Sequence, residues 1–160
     1  MEWLYLLGYE DTNAPQHILL LRMLVAAVLG GIIGIERGVH TNYAGVRTHA
    51  LIATAAAMFT MLAFEIYRET MGAGNAQPDP IRAIQAVTAG VAFLGAGAIF
   101  QQRGSIQGLT TGAGMWLAGA IGISAALGYY LIASMAAVLA VLVLATLRHL
   151  SHQVINAADE

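Results

Sequence analysis

The chain has 160 residues, one domain's worth, with 58% hydrophobic and 10% charged residues and a formal net charge of −2. An ordinary globular domain carries roughly 45–50% apolar and about 25% charged residues, so this chain has too little polar surface to cover a soluble ball, and disorder is excluded on the same ground. All seven basic residues are Arg with no run that suits a nucleic acid, and the absence of Cys removes disulfides, thiolate catalysis and Cys-ligated metal sites, which leaves an integral membrane protein.

Residues 1–14 read as an interfacial segment, with Trp3, Tyr5 and Tyr9 at headgroup depth. Glu2, Glu10 and Asp11 stand where a secretory signal would carry basic residues. Five apolar segments follow, at about His17–Ile35, Thr48–Phe64, Ile81–Phe100, Thr111–Leu127 and Tyr129–Leu147. Each has about 17–20 residues, enough to cross a ~30 Å hydrocarbon layer as a helix. None shows the apolar–polar alternation of a barrel strand. The expected fold is all-α: a polytopic bundle of five transmembrane helices over residues 1–150, then a short cytoplasmic tail at 151–160. Arg37, Arg47, Arg103 and Arg148 flank one membrane face, against Arg68 and Arg82 on the other. This bias predicts an external N-terminus and a cytoplasmic C-terminus.

Helix starts are marked locally. Asp79-Pro80 offers a capping carboxylate and a proline at the first helical position. Thr110 and Thr111 offer hydroxyl caps for the fourth helix. Met71 to Pro78 forms the longest and most polar loop, the expected external contact surface. Small residues recur four apart: Gly30 and Gly34 with Ala26 in the first span, Ala92 and Ala96 in the third, Gly114, Ala118 and Gly122 in the fourth. Gly95 and Gly97 add small residues near the end of the third. Such stripes let helix backbones approach closely in lipid. They serve either packing inside one bundle or a homodimer face. No internal repeat of the kind found in many secondary transporters is visible.

Charges at membrane depth are costly, so each needs an account. Arg22 lies one turn into the first span, where it is paired or snorkels, or else belongs to a ligand or partner site. Arg82 opens the third helix at its unfavourable dipole end and calls for a carboxylate, with Asp79 and Glu65 available. On the opposite face, a Glu36–Arg47 bridge would lock the first helical hairpin. Glu36, Arg37, Arg47, Thr48, Arg103, Thr110 and Thr111 form a polar layer there, read either as structural ion pairs or as a site for an anion or protein partner. Ser105, Ser124, Ser134 and Ser151 lack a His–carboxylate arrangement. His149 and His152 lie in the tail without a carboxylate cluster, and His17, His40 and His49 read as single interfacial residues. The Gly95-Ala96-Gly97 element follows no strand and is no nucleotide loop. No acidic residue sits mid-span, which argues against simple ion transport. No enzyme, cofactor or metal site is expected.

Five stretches occur in one order: Gly31-Ile-Ile-Gly34-Ile-Glu36-Arg37, Ala44-Gly45-Val-Arg47-Thr48-His49-Ala-Leu51, Asp79-Pro80-Ile-Arg82, Phe93-Leu94-Gly95-Ala96-Gly97 and Gly108-Leu109-Thr110-Thr111. In these the sequence resembles the MgtC/SapB family of bacterial membrane proteins, over about residues 20–125. Two stretches depart from the family pattern. Val91-Ala92 stands for the usual Ile-Gly, and Gly112-Ala113-Gly114-Met115 for Ala-Ala-Ser-Leu before Trp116. The resemblance implies a bacterial inner-membrane protein tied to low magnesium, acid tolerance or survival inside host cells. It implies a regulatory action on other membrane complexes, including the ATP synthase. The ACT-like C-terminal domain of virulence-associated members is expected to be absent. The expected function is thus non-enzymatic regulation, with transport or handling of magnesium or another ion as the alternative. The expected partners are the bilayer, a second copy in a homo-oligomer such as a dimer, and another membrane complex.

Overall fold

The computed structural model describes residues 12–38, 44–71, 79–102 and 105–158, with backbone only at Gly38, Gln102 and 147–158. Expectations that fall on Trp3, Tyr5, Tyr9, His40, the 72–78 loop and Arg103 lie outside the described residues. So do those on the side chains of Arg148, His149 and His152.

Five helices are described: α1 (Gln16–Gly38), α2 (Val46–Met71), α3 (Pro80–Gly97), α4 (Leu109–Ala126) and α5 (Tyr130–Ala158). A helix satisfies its backbone polar groups internally, which long apolar runs in lipid require. α1, α2 and α4 are long and apolar enough to cross a membrane, and α5 contains an apolar stretch at Tyr130–Thr146. Leu131, 75% exposed, and Phe93, 80% exposed, show how apolar the outside of the bundle is.

The elements follow the apolar segments with three differences. α2 runs on to Met71, so Glu65, Arg68 and Glu69 continue the helix past the apolar part. α3 stops at Gly97, and Phe100, expected at its end, opens β1 (Phe100–Gln102) instead. β1 pairs antiparallel with β2 (Ser105–Gln107), with Phe100 opposite Gln107. α5 extends through most of the expected tail, to Ala158.

The start of α3 follows the sequence. Asp79 Oδ1 accepts from the Ile81 N–H at 2.9 Å, and Pro80 occupies the first turn. The start of α4 does not. Neither Thr110 nor Thr111 caps it; the N-cap is Gly108, at φ 84°, without a side-chain cap. A Cβ on Gly108 would collide with the carbonyl of Ala98, so the hairpin's return onto the end of α3 demands glycine. Gly128, at φ 83°, makes the turn into α5.

α4 sits at the centre and packs against all four other helices, with α1 and α2 as its closest partners in a three-helix crossing. The core there is small: Ala26, Ala53, Ala57 and Ala118 are fully buried beside Met61 and Met115. An ideal Cβ on Gly30 would lie 2.7 Å from both Ala53 Cβ and the His49 carbonyl oxygen. One on Gly34 would lie 2.6 Å from Val46 Cα. One on Gly122 would strike the Ala53 carbonyl, and Gly95 meets Gly112 backbone to backbone. Burial against lipid gains little, so this close approach is what holds the helices together. The stripes of α1 and α4 therefore pack inside the bundle. Gly97 does not belong with them: nothing lies within 4 Å of its Cβ position. The α3 stripe of Ala92 and Ala96 is exposed.

Candidate functional site

Polar side chains gather at the two ends of the bundle. At one end meet the C-terminus of α1, the N-terminus of α2, the end of α3 and the N-terminus of α4. Arg37 Nε donates to Glu36 Oε2 at 2.9 Å, with both side chains about nine-tenths buried. This replaces the expected Glu36–Arg47 bridge. Arg47 is exposed on the first turn of α2, because helical geometry turns it away from α1 when its neighbours Val46 and His49 approach Gly34 and Gly30. Thr48 is half-buried, Thr110 exposed and Thr111 buried.

His49 lies at the heart of this end, with no solvent exposure. Its Nδ1 is 3.0 Å from the Gly45 carbonyl oxygen. A carbonyl only accepts, so Nδ1 donates, and the neutral ring carries its lone pair at Nε2. That Nε2 is buried without a hydrogen-bond partner and lies 3.0 Å from where a Gly114 Cβ would be. The expectation of an interfacial His49 is therefore corrected: it is a core residue wedged between α1, α2 and α4. Spacing carries a signal for this, because His49, Ala53, Ala56 and Thr60 recur every three or four residues and all are buried.

At the other end, Arg22 NH1 donates to the Ala126 carbonyl at 2.7 Å, closing the C-terminus of α4. A cation there complements both the unpaired carbonyl and the helix dipole. Arg22 lines a cavity of about 300 Å³ with Thr60, Glu65, Arg68 and Tyr129. Glu65 Oε2 accepts from the Asn13 backbone N–H at 2.8 Å and from Asn13 Nδ2 at 2.7 Å. Both carboxylates expected for Arg82 are thus engaged elsewhere, Asp79 in its cap and Glu65 with Asn13, and Arg82 is exposed. Among the described residues, no three His, Asp or Glu side chains gather as a metal site would require.

Between the ends, α2 and α3 diverge and leave an apolar groove of about 610 Å³, walled by Leu51, Ala55 and Phe59 on one side and Ala83, Ala86 and Gly90 on the other. Gly90 has open space at its Cβ position.

The sequence profile of the MgtC family matches residues 23–153. The chain belongs to the MgtC family. It is 34% identical over 137 residues to a protein of Escherichia coli K12 named putative magnesium transporter YhiD, covering 86% of this chain and 64% of that protein. It is 38% identical over 130 residues to an uncharacterized protein of Haemophilus influenzae, covering 78% and 54%. Protein MgtC of Salmonella typhimurium is 35% identical over 111 residues, covering 69% and 44%. The chain thus spans less than two thirds of the length of each of these relatives. No solved structure matches it. Four of the five stretches that carry the MgtC resemblance converge on the His49 end: the end of α1, the start of α2, the end of α3 and the start of α4. Asp79-Pro80-Ile81-Arg82 lies at the opposite end.

Proposed function

We propose that this MgtC-family chain is a non-enzymatic, multi-pass protein of the bacterial inner membrane that acts by helix–helix contact. In this reading all five helices span the bilayer, with the N-terminus outside and the His49 end facing the cytoplasm. The α2–α3 groove receives a transmembrane helix of another membrane protein, such as a subunit of the ATP synthase, under magnesium, acid or intracellular stress. The observation that carries the reading is the groove itself. Its walls include Ala55, Ala83, Ala86 and Gly90, the small residues that close helix approach in lipid needs. The small residues of α1 and α4, by contrast, are already spent on α2.

Filling the groove tests this. Ala86 and Gly90 are exposed, so Ala86→Leu and Gly90→Leu leave the bundle's own contacts intact. Each is expected to abolish the chain's support of growth in limiting magnesium without lowering its thermal stability in detergent. Full growth support by both variants would refute the groove's role. If the variants instead shrink the detergent-solubilised particle from dimer to monomer, the occupant is a second copy rather than another protein. The printed name of the Escherichia coli relative favours a second reading, handling of magnesium by the chain itself, which predicts ion flux by the purified chain alone.

A further inference from the structure

The cavity at the Arg22 end holds chemistry that neither the packing of the bundle nor the groove uses. Arg22 commits one nitrogen to Ala126, but its Nε is buried and has no hydrogen-bond partner. A buried N–H left unmade is costly, and a guanidinium N–H more so. Arg68 faces the same cavity, is exposed, and makes no hydrogen bond among the described residues. The carboxylate between them, Glu65, is turned to Asn13 and bonds to neither. Among the described residues that line the pocket, two guanidinium groups thus stand against one carboxylate whose Oε2 already takes two hydrogen bonds, a positive balance. The apolar Leu19 and Phe64 also line the pocket, as do Ala14 and Tyr129, just before α1 and α5 begin.

We propose that this pocket binds a phosphate group, held by the Arg22 and Arg68 guanidinium groups that line it, either on an anionic lipid headgroup or as the free ion. Guanidinium donors suit phosphate oxygens better than ammonium donors do. The volume exceeds what a bare phosphate fills, which leaves room for the glycerol of a lipid. The site is independent of the groove and of any effect on magnesium.

The test uses the purified full chain in a neutral detergent, with binding read by native mass spectrometry and by shift in melting temperature. The probes are phosphatidylglycerol, phosphatidylcholine and inorganic phosphate. Phosphatidylglycerol is expected to bind and stabilise the wild type, and Arg68→Gln to weaken that binding roughly 10-fold or more. Arg68 is exposed in the last turn of α2 and makes no hydrogen bond among the described residues, so R68Q costs at most a small dipole contribution, read from the melting temperature of the unliganded chain. Arg22→Lys keeps a donor for Ala126 but replaces the planar guanidinium by a single ammonium, so it is expected to keep most of the stability while weakening binding. A response to inorganic phosphate equal to that of the lipid assigns the free ion. A response to phosphatidylglycerol alone assigns the headgroup. Binding of phosphatidylglycerol that R68Q and R22K leave unchanged, or no binding of any probe by the wild type, overturns the proposal.

Discussion

Gly122→Ala probes the three-helix crossing most sharply. The added methyl would strike the Ala53 carbonyl, with the carbonyl carbon at 2.9 Å and Ala53 Cα at 3.0 Å. Carbon–carbon contacts settle at about 3.5–4.0 Å, so α4 must withdraw from α2 by about 0.5–1.1 Å. The obstacle is backbone on both sides, so no side chain can rotate away. Overpacking of a filled core costs about 1–3 kcal/mol, and in a chain of this size each kcal/mol moves the melting temperature by about 2–4 °C. G122A is therefore expected to melt about 2–12 °C below wild type in detergent, followed by the fluorescence of Trp116, a residue of α4 itself. Gly97→Ala is the matched control. It adds the same methyl into open space and removes a glycine from a helix end, so it is expected to be neutral or slightly stabilising. Equal melting temperatures for G122A and wild type, or an equal loss in G97A, would refute the argument that backbone contact holds α4 to α2.

Further outcomes follow from the two ends. Glu36 and Arg37 are expected to couple in a double-mutant cycle by more than the ~0–1 kcal/mol of an exposed pair, whereas Glu36 and Arg47 are expected to be additive; the reverse pattern would restore the Glu36–Arg47 bridge. Arg22→Met removes the donor to Ala126 and is expected to cost about 1–3 kcal/mol, with much of it recovered in Arg22→Lys; equal losses in the two variants would show that the guanidinium's own shape, and not a charged donor as such, matters. Asp79→Ala is expected to cost about 0.5–2 kcal/mol through loss of the Ile81 cap, and Asp79→Asn much less. Gly114→Ala presses a methyl 3.0 Å from His49 Nε2 and is expected to destabilise, with partial relief in the smaller His49→Ala background; additive losses would place His49 elsewhere.

Much of the helical layout is legible in the apolar runs, because in lipid the run length and the helix length answer to the same hydrocarbon thickness. Asp79-Pro80 is legible because its signal is local. Hydropathy does not see where α2 ends, since Glu65, Arg68 and Glu69 continue a helix past the apolar part. Gly108 was hidden behind Thr110 and Thr111: hydroxyls are good caps, but the close approach of the Ala98 carbonyl, a tertiary fact, decides for a left-handed glycine. The pairing of Glu36 turns on which helix faces of α1 and α2 carry Arg37 and Arg47, which loop length alone does not fix. His49 looked interfacial because it lies one turn into α2, although its spacing to Ala53, Ala56 and Thr60 marks the inward face. The glycine pairs announced close approach; only the fold says that Ala53 and Val46 are what they approach.

On the function proposed above, this chain works by contact in the bilayer, around a close-packed crossing of α1, α2 and α4. Reconstituting the purified full chain into liposomes that enclose a magnesium-sensitive dye tests it most directly. Under an imposed magnesium gradient the vesicles are predicted to respond as protein-free ones do. Magnesium entry that scales with the amount of protein would contradict the account and establish the ion-handling reading in its place.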